Sequence, residues 1–543
     1  VGDVVAARRG EILAVMAHEA GKTIAEGDPE VSEAVDFARY YARSIATLER
    51  LAAEGAPSHP LGTVVVAPPW NFPFAIALGG VTAALAAGNS VILKPAPQAR
   101  RSARLVAECC WAAGVPADAL QHVPTPDDEA GRRLITHPDV QAVILTGAHA
   151  TARMFLDWRP DLRLHAETSG KNAMVITAAA DLDLAIRDLV RSAFLHAGQK
   201  CSAASLAIVE GSVFDDPSFR RRLRDAAVSL RVGSALELGT DIGPLIEAPG
   251  AALLRALTQL EPGESWLLQP QQLSETQWTP GIRWGVQPGS WFARTECFGP
   301  VLGVVRADDL DHAIRIQNDS DYGLTAGLQS LDPTEIDRWQ NAVEAGNLYV
   351  NRGITGAIVR RQPFGGWKQS VVGPTVKAGG PHYVASLRHW PAADVRTDVA
   401  AWFAAASSGS DESGLRAESN VLRVRPIAGG VALRIGAEAA VDTERLARTA
   451  AAITGVRLEV SRAADEADEV FAGRLASLGV RRLRLVGAGP EADSIRRAAH
   501  GASIAVDEAP LHGHAEVEGM RWCHEQAISR TLHRHGHLRS AHP

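Results

Sequence analysis

A cysteine and a glutamate of this 543-residue sequence carry the side chains needed to form and then hydrolyse an acyl bond. Cys201 lies in HAGQKCSAAS, and Glu167 comes earlier, in HAETSGKNA. A thiolate attacks carbonyl carbons, and a carboxylate can take a proton from the water that hydrolyses a thioester. Taken singly, a free cysteine is usually a small buried apolar residue, and a glutamate often binds backbone N–H groups. Together they predict nucleophilic catalysis with a hydrolytic second step.

Four other stretches carry groups that can assist such a reaction. Asn71 in PPWNFPF opens a helix, where asparagine is usually a cap, but its amide can also donate to an oxyanion. Lys94 ends VILKPAP, where a solvated lysine is the simplest interpretation and a hydrogen bond to a ribose or phosphate is the alternative. Glu296 precedes the turn in ECFGPVLGVV, and the glycine-rich loop NRGITGAIVRRQPFGG offers backbone amides to an anion.

The elements that must position these groups alternate between strand and helix. LGTVVVAPPW, SVILK and QAVILTG have the pattern of buried strands, and helices are predicted over 75–87 and 99–113. Strands separated by helices pair in parallel, so the predicted fold class is α/β with doubly wound parallel sheets. A helix over 183–197 is predicted to lead into Cys201, and a second α/β run reaches about residue 384.

Composition excludes several classes of protein. A formal net charge of -7 gives no general basic surface, so no nucleic-acid partner is expected. The five cysteines form no C-x-x-C pair, which argues against a disulfide framework or a zinc site and favours a reducing, cytoplasmic setting. No stretch is long and apolar enough to predict a membrane span. No metal site is predicted.

The six stretches, in this order, resemble the aldehyde dehydrogenase superfamily over residues 1–385. More narrowly, GQKCSA, ITGAIVRRQPFGG and KAGGPHYV resemble the L-glutamate γ-semialdehyde (1-pyrroline-5-carboxylate) dehydrogenases, which also occur in bifunctional proline-catabolic enzymes. The resemblance implies an NAD-dependent enzyme that oxidises L-glutamate γ-semialdehyde to L-glutamate through a Cys201 thiohemiacetal and thioester. It also implies an oligomer.

Roles for individual residues follow from the same resemblance. Cys201 is expected to be the nucleophile, Glu167 the base for the deacylating water, and Asn71 the oxyanion donor. The expected cofactor-binding residues are Trp70, Lys94, Gly147, Glu296 and Phe298. The expected substrate-binding residues are Lys200, Ser202, Gly356, Ala357 and Phe364.

Two positions depart from the family pattern. Pro97 stands where a glutamate often binds the adenosine ribose, which weakens the basis for choosing NAD over NADP. The cofactor turn reads TGAHATAR, with Ala148 and Ala152 in place of the commoner serine and glycine. Phosphate binding is then expected to use backbone amides at the helix N-terminus.

The expected domains are an NAD-binding domain over 1–170, continuing to about 198, and a catalytic domain over 199–385. A Ser/Gly/Ala-rich linker over 386–420 and a C-terminal α/β domain over 421–543 follow. The last domain resembles the structural C-terminal domain of long bifunctional proline-catabolic enzymes. A proline dehydrogenase, fused or separate, is therefore an expected partner.

The C-terminal region contains two patterns that raise other possibilities. LRLVGAGPEADSI has a dinucleotide-binding pattern at Gly487, Gly489 and Ala492, although a tight strand-to-helix turn is the simpler interpretation. Four histidines near the end (His524, His533, His535 and His537) have mixed spacing, which favours a polar terminal helix over a metal site.

Two alternative functions remain open. The chain can be an aldehyde dehydrogenase for another small aldehyde, or a non-catalytic assembly module for a proline dehydrogenase. The presence of Cys201, Glu167 and Asn71 together favours catalysis over assembly alone.

Overall fold

The structure is a computed structural model that describes residues 1–392, 397–534 and 536–538. Its strands, in chain order, are β1 (His59–Pro60), β2 (Thr63–Ala67), β3 (Ser90–Leu93), β4 (Leu120–His122), β5 (Val140–Thr146), β6 (Leu164–Glu167), β7 (Asn172–Ile176), β8 (Ala204–Glu210), β9 (Ser265–Leu268), β10 (Gly281–Trp284), β11 (Val301–Ala307), β12 (Tyr322–Gly323), β13 (Thr325–Gln329), β14 (Asn347–Val350), β15 (Trp367–Lys368), β16 (Val371–Val372), β17 (Arg388–His389), β18 (Glu418–Pro426), β19 (Val431–Ile435), β20 (Leu458–Arg462), β21 (Arg482–Val486), β22 (Ala505–Asp507), β23 (Cys523–Thr531), β24 (His533–Arg534) and β25 (His537–Leu538).

The α-helices, in chain order, are α1 (Gly2–Ala7), α2 (Arg9–Ala20), α3 (Ile24–Ala53), α4 (Ala75–Ala86), α5 (Arg100–Ala112), α6 (Glu129–Thr136), α7 (His149–Trp158), α8 (Leu182–Phe194), α9 (Gly211–Phe214), α10 (Pro217–Val228), α11 (Ala251–Thr258), α12 (Trp291–Arg294), α13 (Leu310–Asn318), α14 (Pro333–Ala342), α15 (Tyr383–Ser386), α16 (Val399–Ser408), α17 (Thr443–Thr454), α18 (Asp468–Leu475), α19 (Asp493–Gly501) and α20 (Ala515–Gly519). None of these helices is long and apolar enough to cross a membrane.

A six-stranded sheet carries the first half of the site. Its order is β16-β6-β5-β2-β3-β4, and every pair is parallel except β16 with β6. The central strand β2 has the sequence TVVVA and is buried from Val64 onward, as β-branched strands covered on both faces usually are. Because the strands run in parallel, the residues that follow β2, β3, β5 and β6 all lie at one edge of the sheet.

A nine-stranded sheet carries the second half. Its order is β18-β23-β14-β13-β7-β8-β11-β10-β9, with antiparallel pairs only at the two ends. The sequence predicts that the first domain continues to about residue 198. Strand β7, however, pairs with β8 and β13 in the nine-stranded sheet, so β7 and α8 belong to the second unit. Cys201 precedes β8 and Glu296 precedes β11, which places both at the N-terminal edge of this sheet.

The helix that leads to Cys201 ends earlier than predicted. Helix α8 stops at Phe194, and His196, Ala197 and Gly198 all have positive φ (55°, 53° and 67°). A Cβ on Gly198 would overlap the Gly299 carbonyl, which leaves glycine as the residue that fits. Helix periodicity alone does not reveal this left-handed turn, which redirects the chain before the thiol.

The C-terminal residues divide between two sheets. Strands β20, β19, β21 and β22 form a separate four-stranded parallel sheet. Strands β18 and β23, in contrast, extend the nine-stranded sheet, with β23 parallel to β14. The prediction of a polar terminal helix is therefore wrong, because His524 lies in a largely buried strand; His535 lies outside the described residues. Tertiary pairing overrides the local polarity of this segment.

Candidate active site

A cavity of about 740 Å³ is lined by residues of both large sheets and of the helices α3 and α8. Seven of the predicted site residues line it: Glu167, Lys200, Cys201, Ser202, Gly356, Ala357 and Phe364. The structure therefore brings the predicted nucleophile, the predicted base and all five predicted substrate-binding residues to one cavity.

The thiol of Cys201 is half-buried and lies in an electronegative setting. Its backbone carbonyl accepts a hydrogen bond from Asn172 Nδ2 at 2.7 Å, which fixes the chain at the predicted nucleophile. Burial raises the pKa of the thiol well above its ordinary value, and the Glu167 and Glu296 carboxyls raise it further. The resting side chain is therefore a thiol, and nucleophilic attack requires a nearby group that takes its proton.

Glu167 is the last residue of β6, opposite Val371 of β16. Burial raises the pKa of its carboxyl to about 7, and the Lys377 ammonium partly opposes that rise. A carboxyl with a pKa near neutrality exists in both protonation states at working pH, which is the property that a general base and acid needs.

Asn71 lies outside the cavity lining, but its amide is fixed against the segment that carries the thiol. Asn71 Nδ2 donates to the Gln199 carbonyl at 2.9 Å, and Asn71 Oδ1 accepts from the Phe72 backbone N–H at 3.1 Å. An amide nitrogen carries two N–H groups, so one is committed to the protein here. The loop after β2 and the loop before β8 are thus joined beside Cys201.

A buried ion pair between Lys22 and Glu30 supports Asn71 from behind. Both side chains are fully buried. Lys22 Nζ donates to the Asn71 carbonyl at 2.9 Å, and Glu30 Oε1 accepts from the backbone N–H groups of Phe74 and Ala75, at 2.9 and 3.1 Å. The carboxylate therefore caps α4 while its partner holds the predicted oxyanion residue. The sequence gives no sign of this pair, since charged residues near a helix start are usually solvated.

The substrate-binding residues show one departure from expectation. Lys200 Nζ lies 2.5 Å from Glu26 Oε2, so the charge of this lysine is already paired with a carboxylate. Ser202 is buried beside the thiol. Gly356 has a φ of +140°, a conformation that favours glycine, and a Cβ there would meet nothing within 4 Å, so its surroundings leave room for a ligand.

The C-terminal strand β23 braces the loop that carries Phe364. Glu525 Oε2 accepts from the Lys377 backbone N–H at 2.6 Å, and Glu525 Oε1 lies 2.6 Å from His382 Nδ1. Lys377 Nζ in turn donates to the Gly365 carbonyl and to Asn347 Oδ1. Burial lowers the pKa of this lysine to about 8. These contacts connect the end of the chain to the cavity wall.

A second brace from β23 acts on the glycine-rich loop itself. Ser529 Oγ accepts a hydrogen bond from Arg352 Nη1 at 2.8 Å and lies 2.8 Å from the Gln362 amide. Glu418 of β18 pairs with Arg361 at 2.6 Å. Sequence analysis missed these groups because the residues that meet here are far apart in the chain.

The predicted cofactor residues lie along the carboxyl edge of the six-stranded sheet and beside Cys201. The rings of Trp70 and Phe298 meet edge to face, with centroids 5.6 Å apart. Glu296 Oε1 accepts from the Gly170 backbone N–H at 2.8 Å. A Cβ on Gly147 would meet no atom closer than 3.7 Å, so the turn after β5 can be approached closely. Aromatic walls, an open glycine turn and polar groups at a strand edge fit a dinucleotide.

Lys94 forms an ion pair with a carboxylate that sequence analysis missed. Its ammonium pairs with Asp127 Oδ1 at 2.7 Å, and the side chain of Asp127 is 65% exposed. Asp127 follows β4, the strand next to β3, and so lies at the same sheet edge as Lys94. It places an exposed carboxylate beside Lys94 at this edge.

At the second glycine pattern, Gly487 and Gly489, the protein's own atoms occupy the space in which a nucleotide would bind. A Cβ on Gly487 would overlap the backbone of Ala439, so a neighbouring loop occupies the space beside this turn. The Gly489 backbone N–H donates to Glu491 Oε1 at 3.0 Å, and Asp507 pairs with Arg484 at 3.4 Å. These contacts account for the glycines without a ligand.

The model of the Aldehyde dehydrogenase family matches residues 1–389. The chain belongs to this family. A curated 1-pyrroline-5-carboxylate dehydrogenase from Geobacillus sp. (strain WCH70) is 36% identical over 400 residues, which are 70% of this chain and 77% of that protein. The resemblance drawn from the sequence motifs and the predicted fold class are thereby confirmed.

Solved structures extend the likeness of this aldehyde dehydrogenase to its C-terminal region. Proline utilization A (PutA) from Corynebacterium freiburgense is 46% identical, with a TM-score of 0.91 over 99% of this chain. This chain spans 56% of that protein. A Thermus 1-pyrroline-5-carboxylate dehydrogenase solved with bound NAD is 33% identical, with a TM-score of 0.67 over 73% of this chain and 80% of that one.

Replacing Lys22 tests the support behind Asn71. We expect Lys22→Met to lower the free energy of unfolding by about 3–5 kcal/mol, because Glu30 is left as a buried charge without a partner. The double variant Lys22→Met/Glu30→Gln should recover part of that loss. Urea unfolding measures both. Arg39→Met, at an exposed ion pair with Asp3, is the control and should change stability little; an equally small effect of Lys22→Met would contradict the role of the pair.

Proposed function

We propose that this aldehyde dehydrogenase oxidises L-glutamate γ-semialdehyde to L-glutamate with NAD. The observation that carries the proposal is the single cavity lined by Cys201 and Glu167 and also by Ser202, Gly356 and Phe364. The names of the curated relatives support this substrate. The five cysteines are unpaired, which supports a cytoplasmic setting.

Catalysis begins at the thiol. Cys201 gives its proton to a water molecule in the cavity and its sulfur attacks the aldehyde carbon, while the second N–H of the Asn71 amide and the Cys201 backbone N–H hold the developing oxyanion. When bound, NAD supplies the acceptor for the hydride that leaves the tetrahedral carbon. Glu167 takes a proton from the water that then attacks the thioester, which releases the acid and restores the thiol.

Recognition of the substrate uses its carboxylate. The Ser202 hydroxyl and the backbone N–H groups of Gly356 and Ala357 are the proposed donors, and Phe364 packs on the aliphatic chain. Lys200 acts through its ion pair with Glu26, which neutralises its charge, so we assign the carboxylate to the neutral donors.

NAD is the proposed cofactor, and Asp127 is the proposed basis for preferring it to NADP. The residues that would hold it are Trp70, Lys94, Gly147, Glu296 and Phe298. The Asp127 carboxylate can accept hydrogen bonds from ribose hydroxyls and repels a 2′-phosphate. The likeness to the NAD-bound Thermus enzyme supports this cofactor.

Association with other chains is also proposed. The PutA relative is much longer than this chain, which supports a proline dehydrogenase partner, fused or separate. We also propose a homo-oligomer, which light scattering of the purified chain would measure. The C-terminal four-stranded unit is proposed to serve a structural role.

Activity on the proposed substrate is the first test. We expect NADH to form from NAD and L-glutamate γ-semialdehyde, and Cys201→Ser to abolish it. Ser202→Ala should lower kcat/KM for the semialdehyde by about 10–100-fold, since a hydrogen bond to a charged group contributes about 1.5–3 kcal/mol. The same variant should spare propanal, which has no carboxylate. An equal effect on both aldehydes would refute the carboxylate site.

The pH dependence of turnover tests Glu167. Its carboxylate is the active form and its pKa is raised to about 7, so the deacylation rate should rise with pH up to about 7 and level off above about 8. Glu167→Gln should give one rapid burst of NADH and then slow turnover, because the thioester persists. Stopped-flow absorbance measures both. A steady rate without a burst in Glu167→Gln would exclude this role.

Cofactor choice tests Asp127. We expect Asp127→Asn to weaken NAD and strengthen NADP, which would reduce the ratio of their affinities by roughly tenfold. Quenching of tryptophan fluorescence gives both Kd values without turnover. Asp139→Asn, an exposed aspartate at the opposite edge of the same sheet, is the matched control. An unchanged ratio in Asp127→Asn would contradict the assignment.

A further inference from the structure

Helix α3 presents a carboxyl to the active-site cavity that the dehydrogenase reaction does not use. Glu26, Glu33 and Asp36 of this helix all line the cavity. Glu26 pairs with Lys200, and Asp36 is exposed. Glu33 is half-buried, and within the described part of the chain it has neither an ion pair nor a hydrogen-bond donor. A polar group left without partners in the cavity that also holds Cys201 is positioned to act on a ligand.

The surroundings of Glu33 keep its carboxyl protonated near neutral pH. Burial raises its pKa to about 8, and the carboxyls of Glu30, Asp36 and Glu167 add to that rise, while Lys22 opposes it. The wall around it includes the apolar rings of Phe37 and Tyr41. Such a carboxyl can donate a proton and take it back at little cost in free energy, as general acid–base catalysis requires.

The chemistry of the proposed reaction leaves one step without a catalyst. The relatives are named for 1-pyrroline-5-carboxylate, which is a cyclic imine and has no aldehyde group. Cys201 forms its thiohemiacetal only with a carbonyl carbon. The ring must therefore take up water and open before the thiol can react. A cavity of about 740 Å³ has room for a five-carbon substrate and water together.

We propose that Glu33 catalyses the hydrolytic opening of the cyclic imine within the active-site cavity; this rests on the proposed function. Glu33 protonates the ring nitrogen and then takes a proton from the water whose oxygen bonds to the imine carbon. It returns that proton to the nitrogen of the carbinolamine. The C–N bond breaks as the hydroxyl proton passes to Glu33, which leaves an aldehyde, a free amine and a protonated Glu33. One water is consumed, and nothing is oxidised or reduced.

Stopped-flow NADH absorbance with enzyme in excess and NAD saturating separates ring opening from oxidation. A solution of 1-pyrroline-5-carboxylate also contains some open-chain aldehyde, which gives a fast phase, and the remaining ring form gives a slow phase. If the enzyme opens the ring, the slow rate constant rises linearly with enzyme concentration. We expect Glu33→Gln to lower that slope by at least ~100-fold, the size of effect typical of a lost acid–base group.

Two controls make the result specific. 5-Oxopentanoate has the same chain and carboxylate but no amine, so it cannot cyclise; its oxidation by Glu33→Gln should match the unmodified chain, which also shows that the variant folds. Glu49→Gln makes the same change at an exposed position of the same helix that does not line the cavity, and it should keep the slope. A slow phase independent of enzyme concentration, an unchanged slope in Glu33→Gln, or an equal loss in Glu49→Gln would each overturn the proposal. A chain that oxidises 5-oxopentanoate but gives no NADH from the imine solution in either phase would overturn the proposed substrate instead.

Discussion

The buried ion pair between Lys22 and Glu30 is the interaction on which the rest of the site depends. Two charges removed from water are costly unless each is fully paired, and here each also makes hydrogen bonds to backbone groups of one neighbouring segment. That segment runs from Asn71 to the start of α4, so the pair fixes the proposed oxyanion donor against α3 and the segment before it. An arrangement of these elements that separated the two side chains would leave a buried charge without its partner, at a large cost in free energy.

Asn71 connects the ion pair to the segment that carries Cys201, the proposed nucleophile. Its amide holds the Gln199 carbonyl, two residues before Cys201, where the chain has just left a left-handed turn. Residues other than glycine in that conformation are under local strain, which the surrounding contacts must sustain. The thiol is therefore positioned by the left-handed turn and by its contact with the loop after β2, and not by the helix that precedes it in the sequence.

The part of the cavity wall that carries Phe364 and Arg352 depends on a different set of buried polar groups. Glu525 and Ser529 of the last long strand bind the segments that carry Phe364 and Arg352. Strand β23 also covers the edge of β14, whose backbone would otherwise be left unpaired. One strand thus extends the sheet and supports the proposed substrate side of the site.

The sequence by itself determined the fold class, since hydrophobic periodicity predicts the strands and helices, and the side chains of Cys201 and Glu167 were enough to predict thioester chemistry. It also determined the family, because the motifs keep their order along the chain even though single positions such as Pro97 depart from the family pattern.

Only the tertiary structure decided which charges are buried and paired. Glu26, Lys22 and Asp127 look like solvated surface residues in the sequence, and their pairing depends on segments that meet only after folding. The terminal histidine-rich segment was predicted as a helix because its local pattern is polar, whereas its burial depends on an open sheet edge elsewhere in the chain. The local sequence pattern indicates the propensity of a segment for helix or strand. The burial and the pKa of a side chain are set by neighbours that are distant in the sequence.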